Sequence, residues 1–137
     1  MALVVDASVA IRWLFDVEGT AEADALLESN ELLIAPDLVF SEIANAAWKM
    51  VMFASLSAEA AAQSMLKSSD FFHEIVASIG LKDAALAISL ELRHPAYDCF
   101  YLALAEAKDA RLVTADRRFA QRLAATPWAA LATTLWS

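Results

Sequence analysis

Apolar residues recur along this chain in two rhythms. The short runs in "ALVVD", "ELLIAPD" and "ARLVTAD" are rich in β-formers and too brief for a helix, so each reads as a buried strand. Between them the spacing shifts toward a helical period. Ser8 begins a helix that runs through Trp13 or Leu14, and Glu18 to Ser29 forms a second. Pro36 and Asp37 open a third that reaches about Ala54, because proline suits a first turn and aspartate caps one. Ser57 caps a restart in "LSAEAAAQSMLKSS". Further helices cover about Leu81 to Leu92, the stretch from about Tyr97 in "HPAYDCFYLALAEAKD", and "RRFAQRLA". "FFHEIVA" fits either a strand or a helix, and "ALATTLW" fits a last edge strand.

Strands alternating with helices predict an α/β fold, a three-layer α/β/α sandwich around a mainly parallel sheet of four or five strands. At 137 residues, with no linker, repeat or low-complexity tract, the chain is one domain. In such sheets the working crevice lies beyond the carboxyl ends of the strands.

Composition adds a partner. Apolar residues make up 60% of the chain and the mean hydropathy is +0.50, more than a monomer of this size usually hides. Four tryptophans, Trp13, Trp48, Trp128 and Trp136, point the same way, since aromatics are enriched where interfaces pack. The lone Cys99 excludes an internal disulfide and a cysteine zinc cage, which fits a reducing cytoplasm. The amino terminus has no basic region, and Asp6 breaks its apolar stretch too early for a signal peptide. The greasiest longer stretch carries Asn45, Lys49 and Glu59, so no membrane span is expected. A net charge of −8 argues against non-specific adhesion to nucleic acid or anionic lipid.

Four acids stand where chemistry is expected. Asp6 ends the first strand as a helix begins, and Asp116 repeats the arrangement in "RLVTADRRF". Either could simply cap its helix. Glu42, Asn45 and Lys49 share one helical stripe beside the apolar face of Val39, Ile43, Ala47 and Met50, a pattern a solvated face would also give. Asp98 heads a stripe of Tyr101, Leu102 and Ala105 that is otherwise apolar, so it requires a cap, a cation or a proton. His73 and His94 match no zinc-ligand spacing and read as loop or surface residues. No nucleophile elbow, phosphate loop or dinucleotide fingerprint occurs.

The segments "VVDASVAIRWL", "APDLVFSEIANA", "HPAYDCFYLALA" and "LVTADRRF" occur in that order from Val4 to Phe119. Together they resemble the PIN domain family, specifically the VapC-type toxins of bacterial toxin–antitoxin pairs. The resemblance implies an endoribonuclease dependent on Mg²⁺ or Mn²⁺, with Asp6, Glu42, Asp98 and Asp116 as the catalytic and metal-binding quartet. Ser8, Asn45 and Thr114 fall on its supporting positions. It also implies an RNA substrate, a VapB-type antitoxin and a homodimer, and translation or growth as what the toxin inhibits.

The chemistry agrees with those residue types. Phosphodiester hydrolysis needs an activated water and charge neutralisation at the phosphate, and oxygen ligands suit a hard divalent ion for both. Lys49, Arg117 and Arg118, with Arg122 on the same short helix, are candidate RNA contacts, although exposed cations are ordinary. Two alternatives stay open: a non-catalytic interaction module whose acids merely cap helices, and a Mg²⁺-dependent phosphohydrolase. The second is disfavoured because Ala7 and Ser8, not another acid, follow Asp6.

Overall fold

The computed structural model describes residues 1–136, and the chain runs through them as strand-and-helix units. β1 (Ala2–Val5) leads into α1 (Ala7–Leu14) and α2 (Thr20–Leu27), and β2 (Leu32–Pro36) into α3 (Leu38–Phe53) and α4 (Ala58–Ser68). β3 (Glu74–Val76) precedes α5 (Lys82–Leu92) and α6 (Ala96–Lys108). β4 (Arg111–Thr114) leads into α7 (Arg117–Leu123), and β5 (Ala132–Thr134) follows. The ambiguous "FFHEIVA" thus contributes a strand, and the tail supplies the edge strand.

All pairings are parallel, in the order β3-β2-β1-β4-β5. In the middle of the sheet Val4 registers with Ile34 on one side and Leu112 on the other. Side chains alternate between faces with a period of two. Val4, Ile34 and Leu112 enter a core with Ala85, Ile88 and Leu102 of α5 and α6, while Val5, Leu33 and Val113 enter another with Val9 and Ala23 of α1 and α2. A sheet covered on both faces explains why its strands read as continuous apolar runs. Each fully buried Leu or Ile contributes about 1.5–3 kcal/mol, so these layers fix the strand ends that carry the acids.

One local expectation fails. Asp37 does not cap α3: its backbone is already helical, at φ −64° and ψ −19°, and its side chain accepts no bond from that helix. Its Oδ1 accepts from the Ser78 hydroxyl and, at 3.1 Å, from the Ser78 backbone N–H, which ties the end of β2 to the turn beyond β3. Pro36 closes β2 instead of opening the helix.

Strand order runs outward from β1 in both directions. The segments leaving β1 and β4 therefore part at the carboxyl edge of the sheet, and a crevice opens where they do.

Candidate functional site

Asp6 and Asp116 are held by strand ends and helix starts. The Asp6 N–H continues the sheet by donating to the Val113 carbonyl at 3.3 Å. Its Oδ1 accepts from the Val9 N–H at 3.2 Å, capping α1, and from the Ser8 hydroxyl at 2.5 Å. Asp116 caps α7, with Oδ1 accepting from Arg118 N–H at 3.0 Å and Phe119 N–H at 3.1 Å. Two hydroxyls join these ends. Ser8 Oγ accepts from the Ala115 N–H at 2.9 Å and lies 3.3 Å from Thr114 Oγ1, which accepts from the Asp116 N–H at 3.1 Å. The Ser8 hydroxyl donates to Asp6, and the Ser8–Thr114 contact joins the two strand ends. Capping and lining a site are thus compatible for both acids.

Glu42 and Asp98 come from helix faces and cap nothing. Packing of Val39, Ile43 and Ala47 into the core turns Glu42, Asn45 and Lys49 toward the crevice. The hydroxyl of Tyr101, a residue with 1% exposure, donates to Glu42 Oε1 at 2.6 Å. Asp98 lies in the first turn of α6, but that helix has no side-chain cap, which removes the capping account of this residue. Its Oδ2 stands 2.6 Å from His94 Nε2.

That pair adds to the reading of His94 as a loop residue. His94 does lie in the turn between α5 and α6, yet it is bonded to one of the four acids. His73 is exposed, and its Nδ1 accepts from the Leu33 N–H at 2.9 Å. Sequence reasoning also missed Tyr101 as a polar group, because its ring continues an apolar stripe. Its place three residues after Asp98 was the available signal, as was the i, i+4 spacing of His94 and Asp98.

All four acids line one cleft of about 630 Å³ with Ser8, Asn45, Lys49 and Tyr101. Thr114 stands fully buried behind it. The arginines do not line it. Arg117 lies 3.4 Å from Glu18 and stacks its guanidinium 4.1 Å from the centre of the Trp136 ring. Arg122 donates to the Leu92 and Arg93 carbonyls, and Arg118 is exposed away from the cleft.

The model of the PIN domain family matches residues 3–123. The chain belongs to the PIN domain family. Over 127 residues it is 30% identical to Ribonuclease VapC3 of Pyrobaculum aerophilum, spanning 91% of this chain and 97% of that protein. Two solved structures share the fold. A toxin-antitoxin complex from Klebsiella pneumoniae superposes with a TM-score of 0.71 at 19% identity, covering 100% of this chain and 99% of that one. VapBC2 from Rickettsia felis, bound to a DNA fragment from their promoter, gives 0.67 at 16% identity with both chains fully covered.

Two acids of this PIN domain are shifted by their surroundings. Burial pushes Asp6 up to about 7 against the hydrogen bonds of Ser8, Thr114 and Val9, and the charge of Asp98 adds to the rise. Glu42 is also raised, first by burial and then by Asp98, with the Tyr101 hydrogen bond opposing. Tyr101 is held in its phenol form by burial and the neighbouring Glu42 charge, so it remains a donor. The donor set is all oxygen, which suits Mg²⁺ or Mn²⁺. Among the described residues no three Asp, Glu, His or Cys side chains form a ready-made cage. Mg²⁺ is usually bound through one or two carboxylates and otherwise by water, so it does not require one.

Proposed function

We propose that this PIN domain is a Mg²⁺- or Mn²⁺-dependent endoribonuclease, the toxin of a toxin–antitoxin pair acting in the cytoplasm to inhibit translation or growth. One observation carries the reading: four carboxylates from separate elements converge on one cleft at the carboxyl edge of the sheet. Helix capping accounts for Asp6 and Asp116 but for neither Glu42 nor Asp98. The relationship to a VapC ribonuclease supports RNA as the substrate class.

Of Asp6, Glu42, Asp98 and Asp116, one or two would bind the ion directly and the others would meet it through its waters. When bound, it supplies positive charge for the scissile phosphate and lowers the pKa of an attacking water. The chain's own residues prepare the site for this. Ser8 and Thr114 lock the Asp6 and Asp116 ends into one hydrogen-bonded unit, and Tyr101 fixes Glu42 Oε1. Lys49 projects into the cleft from α3 and makes no ion pair among the described residues, so its charge is available to a phosphate. Asn45, one turn before it, offers an amide for orienting the same group.

The apolar surplus supports a homodimer and a VapB-type antitoxin. Trp48, Met52 and Phe53 at the end of α3 and Leu66 on α4 are between half and four-fifths exposed. Among the described residues no helix is long and apolar enough to cross a membrane. The testing experiment incubates the purified chain with RNA and Mn²⁺, then with EDTA, beside an Asp98→Asn variant. Cleavage that disappears in both controls is expected. Metal-independent cleavage, or full activity in the folded variant, would refute the proposal.

A further inference from the structure

His94 has no role in the quartet, yet the chain immobilises it on several sides. Its backbone N–H donates to the Ser89 carbonyl at 3.2 Å, and its carbonyl accepts from the Ser89 hydroxyl at 2.5 Å. Arg93 just before it adopts a left-handed conformation, φ 55°, that ends α5, and Arg122 of α7 clamps the Leu92 and Arg93 carbonyls at 2.8 and 3.0 Å. The imidazole stacks on Phe119 with centroids 5.0 Å apart and planes 26° off parallel. Helices α5 and α7 therefore hold this residue, Phe119 stacks on its ring, and the ring ends 2.6 Å from Asp98 Oδ2.

We infer that His94 is a positioning residue for the cation site, whose Nε2–H holds Asp98 Oδ2 and leaves Oδ1 as the oxygen offered to the ion. This rests on the proposed assignment of Asp98 as a ligand. Oδ1 accepts no protein hydrogen bond among the described residues, whereas Oδ2 is engaged. A carboxylate accepts only, so the contact requires the proton on Nε2. Side chains that orient a metal-bound group in this way change metal affinity or activity by about 10–100-fold when removed. Without the imidazole, Asp98 would be free to rotate at the mouth of the cleft, where its side chain is 30% exposed.

Two substitutions separate orientation from packing. His94→Gln places an amide donor near Nε2 but loses the stacked ring, while His94→Phe keeps a ring on Phe119 and loses the donor. Mn²⁺ affinity is measured by calorimetry for the intact chain, both variants and Asp98→Asn, with circular dichroism to verify folding. The expected result is about tenfold weaker binding in His94→Phe at an unchanged melting temperature, with His94→Gln within about threefold of the intact chain. The ¹⁵N spectrum of the intact protein should show His94 protonated on Nε2 in the absence of metal. Wild-type affinity in His94→Phe, or equal loss in both variants, would refute the inference while leaving Asp98 as a ligand. If Asp98→Asn itself binds Mn²⁺ as tightly as the intact chain, both the ligand assignment and this inference fall.

Discussion

The two halves of the cleft are built differently. Asp6 and Asp116 sit on strand ends, each bonded to backbone N–H groups of the helix it starts and joined through Ser8 and Thr114. Glu42 and Asp98 sit on helix faces and are held by one side-chain bond each, from Tyr101 and His94. The strand-end acids hold the fold together as well as facing the cleft. The helix-face acids face the cleft alone, so removing them should separate activity from stability.

The largest expected effect tests that separation. Asp98→Asn and Asp116→Ala should each reduce RNA cleavage by at least about 10³-fold, since each removes negative charge from the ion's surroundings. Their stabilities should diverge. Asp116→Ala loses two capping bonds and about 1 kcal/mol, roughly a 3 °C fall in Tm, whereas Asp98→Asn in EDTA should match or exceed the intact chain because it removes repulsion from Asp6 and Glu42. Scanning calorimetry in EDTA decides, and equal destabilisation would erase the distinction between the halves.

A second contrast concerns pH. Asp6 is raised from 3.8 to about 7, chiefly by burial, so the folded state binds its proton more tightly than the unfolded chain. Its stabilising contribution is fully present below about pH 4 and is lost as the pH rises through 7. The loss is on the order of 4 kcal/mol for the metal-free protein. Urea unfolding in EDTA should show stability falling over this window relative to Asp6→Asn, which lacks the titrating group, and Mn²⁺ should restore it. Parallel pH profiles for the two proteins would show that burial does not govern this acid.

The same division explains what could be read from the sequence. An apolar run ending in an acid at a helix start is a local pattern, so Asp6 and Asp116 were visible, and the parallel sheet followed from the alternation of such runs with helices. Glu42 could be placed on its stripe because Val39, Ile43 and Ala47 mark the buried face. What brings it to Asp98 is the packing of α3 and α6 against the sheet, which no periodicity reports. Tyr101 was hidden because a phenol ring continues an apolar stripe while its hydroxyl does polar work. His94 was hidden because it precedes the helix, and only the clamped turn between α5 and α6 aims it at Asp98. Asp37 misled for the converse reason: a good capping residue was captured by Ser78, 41 positions away.

Within the helix half, Tyr101→Phe tests whether a single hydroxyl keeps Glu42 in place. The ring would remain in the core, so the unfolding free energy in EDTA should stay within about 1 kcal/mol of the intact chain. Mn²⁺ affinity should fall about tenfold, as for other groups that orient a ligand. Calorimetric titration measures it. Unaltered affinity would mean that packing, not the hydroxyl, places the glutamate.

The smallest effect distinguishes cations inside the cleft from those outside it. Lys49 lines the cleft on the face that carries Glu42, while Arg117 is engaged by Glu18 and Trp136. Lys49→Ala should raise the KM for RNA about three- to tenfold with little change in kcat, because a phosphate contact contributes to binding before chemistry begins. It should also reduce the salt slope of binding by about one. Arg117→Ala should leave both quantities within about twofold, since its charge is already shared. Steady-state cleavage at several salt concentrations compares the two directly. An Arg117 effect equal to that of Lys49 would extend the RNA path beyond the cleft and across α7.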